Sequence, residues 1–239
     1  PRMPRFQAGG ALRQDSLYVP RGGDSELFGS LSSGHYCHVL APRQIGKTSL
    51  CVRVAERLRS AGARVAFVDL SSLGTTASFD QWLHAIASEI ARPLGAASEV
   101  EARWELEAGT PAGARFGKIL SDVLVPMADS PLVVFLDEID AVLERNQPAD
   151  LRRAEATELF WTLRALHNLR ARDDRQNRLV FCLSGVASPG DLVQESGKSP
   201  FVVSRAIELQ DFTRDELSGF EPHLCPETPD RDALLDEIW

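Results

Sequence analysis

The sequence predicts an α/β protein, a three-layer sandwich in which a mostly parallel sheet carries helices on both faces. Three observations predict it. Short β-rich apolar runs alternate with segments whose apolar residues recur at helical spacing. Two of the runs, Leu132 to Leu136 (LVVFL) and Leu179 to Leu183 (LVFCL), are apolar throughout, as strands covered on both faces must be. The order reads strand, helix, strand, two helices, strand, helix, strand, and that alternation favours parallel pairing.

Residues 1–14 contain Pro, Gly and Arg without an apolar period and read as a flexible lead-in. The core is expected over residues 15–212. His38-Val39-Leu40-Ala41 is the first strand run. Residues 47–60 follow as a helix, with Leu50, Val54 and Leu58 at spacings of four, and Gly62 closes it. Arg64 to Leu70 (RVAFVDL) is the second strand. Residues 78–92 are helical, with Phe79, Trp82, Leu83, Ile86 and Ile90 on one face. Residues 93–112, rich in Ala, Glu and Gly, predict a surface excursion, and 113–127 another helix. After the strand at 132–136 a long helix is expected over about 151–171, then the strand at 179–183. The last apolar run lies near 201–203 or 207–209. Thr213 predicts a helix N-cap, with Glu216 completing a capping box. Residues 213–239 read as the start of a helical lid or winged-helix region. The amphipathic pattern from Leu234 to Trp239 stops in mid-pattern, which predicts a truncation.

The 239 residues are 44% apolar, enough for a real core. No run of about 18 apolar residues occurs and no signal peptide is visible, so no membrane span or membrane partner is expected. A net charge of −8 argues against unspecific binding to nucleic acid or anionic lipid, which needs a positive field. Arg152, Arg153, Arg164, Arg170, Arg172, Arg175 and Arg178 fall in one stretch, read as a solvated helix face and a polar loop, with a local basic patch as the other reading. Cys37, Cys51, Cys182 and Cys225 show no C-x-x-C spacing, which predicts reduced thiols in a cytoplasmic protein. His35, Cys37 and His38 do not converge along a strand, so no metal site is expected from them.

The strongest motif is Ala41-Pro42-Arg43-Gln44-Ile45-Gly46-Lys47-Thr48, followed by Ser49. It fits G-x-x-x-x-G-K-[ST], the phosphate-binding Walker A loop, except that Ala41 replaces the first Gly. Such a loop wraps phosphates with backbone N–H groups, and the following helix points its positive end at them. Lys47 is expected on the β- and γ-phosphates and Thr48 on Mg²⁺. The strand Leu132 to Leu136 ends in Asp137-Glu138, the Walker B form. Asp137 is expected to hold the Mg²⁺ hydration shell, and Glu138 to orient and polarise an attacking water. Leu179 to Leu183 ends in Ser184-Gly185. Ser184 there reads either as a sensor of the γ-phosphate or as a strand-ending turn. Arg170, Arg172, Arg175, Arg178 and Arg205 are candidate arginine fingers, and the sequence does not choose among them.

Tyr18-Val19-Pro20-Arg21-Gly22-Gly23-Asp24, the Walker loop, Phe135 to Asp140, Gly185-Val186-Ala187-Ser188-Pro189 and Asp211-Phe212-Thr213 occur in one order. Over residues 15–239 this resembles the bacterial AAA-like P-loop NTPase domain of STAND-type signalling and defence proteins. The resemblance implies a P-loop fold of the AAA+/STAND kind and ATP or ADP as ligand, with Val19 and Arg21 lining the adenine site. The lack of an Asn-Lys-x-Asp guanine motif agrees. It also implies self-association, and effector and sensor domains (WD or tetratricopeptide repeats) fused outside this chain. A winged helix with a Gly-x-Pro lid contact would be expected after Trp239.

The function expected on this basis is an ATP/ADP-binding regulatory switch with slow Mg²⁺-dependent hydrolysis and nucleotide-controlled oligomerisation. The alternative is an AAA+-like ATPase that remodels protein or DNA. A non-catalytic interaction module is disfavoured by the intact Gly46-Lys47-Thr48 and Asp137-Glu138.

Overall fold

Five strands form one sheet in the order β2-β3-β4-β1-β5 in a computed structural model that describes residues 10, 16–193, 199–223 and 231–238. The strands are β1 (Cys37–Leu40), β2 (Arg64–Asp69), β3 (Leu132–Asp137), β4 (Leu179–Gly185) and β5 (Arg205–Ala206). Every pairing among them is parallel. All of β3 and β4 is buried, which is why both read as unbroken apolar runs. Helix α1 (Gly22–Ser32) precedes β1, and α2 (Lys47–Ser60) crosses from β1 to β2. The chain then reverses direction across the sheet. Right-handed crossovers therefore put α3 (Phe79–Ala91) and the elements after it on the opposite face from α2.

Between α3 and β3 the chain makes α4 (Ala97–Leu106), α5 (Ala112–Lys118), a π-helical stretch at Ile119–Leu124 and α6 (Val125–Met127). The single helix expected at 113–127 is thus interrupted, and Pro126, without a backbone N–H, lies in its last turn. The surface excursion expected at 93–112 is corrected too. Ala96, Val100 and Trp104, four apart, all face inward, and α4 packs against α3. Trp104 Nε1 donates to Asp80 Oδ2 at 3.3 Å, and the Arg115 guanidinium lies 4.8 Å from the Trp104 ring. The short polar linkers masked a period that is present in the sequence.

Beyond β3 come α7 (Ala149–Leu169), close to the expected long helix, and, after β4, α8 (Pro189–Leu192), capped by Ser188. The fifth strand falls between the two apolar runs that were candidates for it. Its residues are exposed, and it is held by backbone bonds to β1, so no apolar signal marks it. Phe201 begins no strand; it lies in a 3-10 turn. Thr213 caps α9 (Arg214–Leu217), and Glu216 completes the box as expected. The last described helix is α10 (Arg231–Ile238). The lead-in at 1–14, apart from Gly10, lies outside the described residues, as does Cys225. No helix among the described residues is long and apolar enough to cross a membrane.

Helix α1 was not expected. Its sequence has three Gly and weak amphipathicity, but Leu27 and Leu31 bury completely against α2 and the sheet. Tertiary packing, not propensity, makes it a helix.

One buried ion pair ties the loops that follow β2 and β3. Arg145 is 1% exposed, donates from Nε to Glu155 Oε2 at 2.8 Å and from Nη2 to the Ala77 carbonyl at 2.7 Å, and lies over the Trp82 ring. Removing one partner leaves a buried, uncompensated charge. Arg145→Ala is expected to lower unfolding stability by about 3–5 kcal/mol, read by urea melts. A loss below about 1 kcal/mol would mean that water reaches Glu155 in the variant.

Candidate functional site

The site lies where the carboxyl ends of β1, β2, β3 and β4 meet. Asp69 and Asp137 are register partners at the ends of β2 and β3, and Leu40 pairs with Gly185 at the ends of β1 and β4. The loop from Pro42 to Gly46 leaves β1 there and enters α2 at Lys47. Gln44 has φ 68° and Gly46 φ 101°, so the loop turns twice through left-handed backbone. Glycine accommodates this freely, whereas at Gln44 it stores local strain, as functional loops often do. Pro42, Arg43 and Gln44 are exposed, and Ser49 is buried in the first turn of α2.

Lys47 is only 5% exposed. Its Nζ donates to the carbonyl oxygens of Ala41 and Pro42, both at 2.8 Å, so the ammonium is held inside the curl of the loop. Thr48 Oγ1 donates to Asp137 Oδ2 at 2.8 Å. Ser184 Oγ donates to the other carboxylate oxygen, Oδ1, which also accepts the Glu138 N–H at 3.1 Å. Three strand ends and one helix start are therefore joined through one carboxylate. Residues expected to share a site from motifs far apart in sequence are brought together.

Glu138 has φ 51°, a second non-glycine residue in left-handed backbone. Its carboxyl is held above the usual range, first by burial and then by the charges of Asp137 and Asp140, with Lys47 opposing. Asp140 is buried, and its Oδ1 accepts the Val186 N–H at 2.8 Å. A Cβ at Gly185 would stand 2.5 Å from that same oxygen, so the glycine permits the loop after β3 to close on the end of β4.

A cavity of about 990 Å³ opens over these residues. Its far wall is Leu17, Tyr18, Val19, Arg21, Phe212 and Phe220. Val19 and Arg21 do line it, but Arg21 is committed to protein partners: Nη1 donates to the Ile45 carbonyl at 3.0 Å and to the Gln210 carbonyl at 3.1 Å. Sequence reasoning missed Asp69, Asp140, Phe212 and Phe220 as cavity residues. Asp69 carried a usable signal, since RVAFVD ends in an acid as LVVFLD does.

The candidate arginine fingers lie elsewhere. Arg170 Nη1 donates to the Gly34 carbonyl at 2.7 Å, and its guanidinium lies 4.4 Å from the Tyr36 ring. Arg178 donates to the Ala128 carbonyl at 2.7 Å, Arg175 pairs with Asp173, and Arg205 sits 2.9 Å from His35 Nε2. These partners border the amino-terminal edge of the sheet, opposite the cavity, and Arg172 is exposed in the turn after Arg170. None of these arginines serves the cavity of its own chain. His35 faces solvent, Cys37 is fully buried and His38 Nδ1 lies 2.7 Å from Ser204 Oγ, so the three diverge as their alternation requires. Cys51 and Cys182 are buried, as their apolar segments predict.

A parallel sheet in this order, with a Gly-Lys-Thr loop running from β1 into α2, defines a P-loop NTPase fold. A Walker-type ATPase of Pyrococcus abyssi shares it, with a TM-score of 0.61 and 15% identity over 97% of this chain and 65% of its own length. The chain belongs to the AAA-like domain family, whose model matches residues 7–223. An uncharacterised WD repeat-containing protein of Synechocystis is 34% identical over 237 residues, which is 98% of this chain and 19% of that protein. The chain thus spans about a fifth of that relative's length. The ORC1 protein of Aeropyrum pernix, solved in complex with DNA, aligns less closely, with a TM-score of 0.48 and 16% identity over 84% of this chain and 47% of its own, and adds nothing to the assignment.

Proposed function

We propose that the cavity binds ATP and ADP, and that the chain is the regulatory nucleotide switch of a STAND-type signalling or defence protein with slow hydrolysis. The observation that supports this most is the connected set Lys47, Thr48, Asp137 and Ser184 beneath a loop of free backbone N–H groups. Phosphates fit there by charge and by geometry: the ammonium of Lys47 and the start of α2 both face the loop. The purine would lie against the wall of Val19, Tyr18 and Phe212.

The donor set also suits Mg²⁺. A hydroxyl and a carboxylate oxygen, now 2.8 Å apart, are the hard oxygen donors this ion prefers, with phosphate and water filling its other positions. Bound there, the ion neutralises charge on the phosphate oxygens. Thr48 and Asp137 would hold it, and Ser184 would fix the orientation of Asp137. Glu138 would take a proton from the attacking water, a task that a carboxyl raised toward neutrality suits. The family resemblance of the lead-in, and the WD repeats named for the Synechocystis relative, support a domain whose nucleotide state is read by fused partners and by other copies of the chain. A switch needs different affinities for two states rather than fast turnover.

Denaturing the purified protein and identifying released nucleotide by chromatography tests this. Near-stoichiometric ADP or ATP is expected. An empty protein that turns over added ATP at many cycles per second would sink the switch and favour a remodelling ATPase. An empty protein that neither binds nor hydrolyses would sink the site.

A further inference from the structure

The segment 19–23 is wedged between the phosphate loop and the chain that follows β5. On one side, Arg21 Nη1 donates to the Ile45 carbonyl, and a Cβ on Gly46 would stand only 2.8 Å from Arg21 Nη2. On the other side, the same Nη1 donates to the Gln210 carbonyl, and the guanidinium lies 4.8 Å from the Phe212 ring centre. Arg21 is 8% exposed, and its Nε has no hydrogen-bond partner among the described residues. Its neighbours repeat the bridge. The Gly22 N–H donates to Glu216 Oε1 at 3.2 Å, and a Cβ on Gly219 would meet Val19 Cγ1 at 2.9 Å. Asp24 fixes the base of the wedge by accepting the Arg21 N–H at 2.9 Å and the Tyr18 hydroxyl at 2.7 Å.

We propose that Arg21 is a positioning residue that couples the phosphate loop to segment 207–220, so that a change in the loop is transmitted to the chain beyond the core. The inference deepens the nucleotide-switch reading and rests on it for the natural signal. One guanidinium nitrogen serves a carbonyl on each side. A loop that reshapes around phosphate moves Ile45 and Gly46, and Arg21 cannot keep the bonds to Ile45 and Gln210 and its place over Phe212 unless 207–220 follows. Coupling of this kind requires one physical element that both regions bias. Lysine at this position keeps the charge but lacks the planar fork that spans both sides.

The test is amide hydrogen exchange read by mass spectrometry on the whole chain, with peptides covering 42–48, 207–220 and, as a fold control, β3. In wild type, MgADP is expected to slow exchange in both 42–48 and 207–220, the latter about fivefold. In Arg21→Lys, the loop peptide should still respond while the response of 207–220 is lost. An equal response of 207–220 in Arg21→Lys overturns the coupling. So does loss of the loop response itself, which would make Arg21 a ligand contact. So does a wild-type 207–220 that ignores nucleotide while the loop responds.

A nucleotide-free arm separates this from failure of the nucleotide reading. Gly46→Ala pushes directly on Arg21, so it should speed exchange in 207–220 in the wild-type background and leave it unchanged in Arg21→Lys. Equal effects in both backgrounds overturn the proposal, whatever the loop binds. A wild-type loop peptide that ignores MgADP sinks the nucleotide site, and the Gly46→Ala comparison then decides the coupling alone.

Discussion

Lys47→Ala is expected to weaken ADP and ATP binding by about a hundredfold or more. The ammonium is buried inside the loop with its two present partners on the loop's own carbonyls, so no other cation stands in the same place. Charge-assisted hydrogen bonds are worth about 1.5–3 kcal/mol each, and losing two reaches that factor. The fold should survive. Pro42 is exposed, so water can take over at its carbonyl, and the stability loss should stay near about 1 kcal/mol. Calorimetric titration with MgADP and a thermal melt check the two halves. A variant that binds like wild type would remove Lys47, and with it the loop, from the binding site.

Glu138→Gln should retain nucleotide affinity and lower hydrolysis by about 10²–10⁴-fold, the span that general-base catalysis supplies. Unchanged turnover would assign the water to another group, and Asp69 would be the next carboxylate to test. The same substitution has a pH signature. Burial and the neighbouring carboxylates raise the Glu138 carboxyl above its unfolded value of about 4.3. Its ionised form is therefore disfavoured in the fold. Relative to the amide, wild type is fully stable below the unfolded pKa and loses ground as pH rises through the raised one. The glutamine variant should thus melt like wild type near pH 4 and slightly higher near pH 8, by less than about 1 kcal/mol because the group is largely solvent-screened. Hydrolysis by wild type should fall on the acid side at a higher pH than an ordinary glutamate would give.

Much of the core was legible because the sequence repeats its physics. In β3 and β4 burial on both faces demands apolar side chains at every position, and that demand is visible as LVVFL and LVFCL. In α2 and α3 one buried face imposes spacings of three and four. The loop from Ala41 to Thr48 was legible because backbone curvature and phosphate chemistry leave few choices at Gly46, Lys47 and Thr48. What failed to show was structure held by partners distant in sequence. Helix α1 has poor propensity and forms because Leu27 and Leu31 find the sheet and α2. Strand β5 carries exposed residues and is held by backbone bonds to β1. In α4 the inward period of Ala96, Val100 and Trp104 was outweighed by the polar residues around it.

The sequence by itself therefore determined the α/β class, the positions of four strands and the identity of the phosphate loop and acidic strand end. Those depend on local periodicity and on side-chain chemistry within a few residues. Only the tertiary structure decided the strand order, the gathering of Thr48, Ser184 and Glu138 around Asp137, the exclusion of the arginine cluster from its own cavity and the place of Arg21 between loop and linker. Each of these is a relation between residues tens of positions apart, fixed by sheet pairing and crossover handedness, and no local pattern records it.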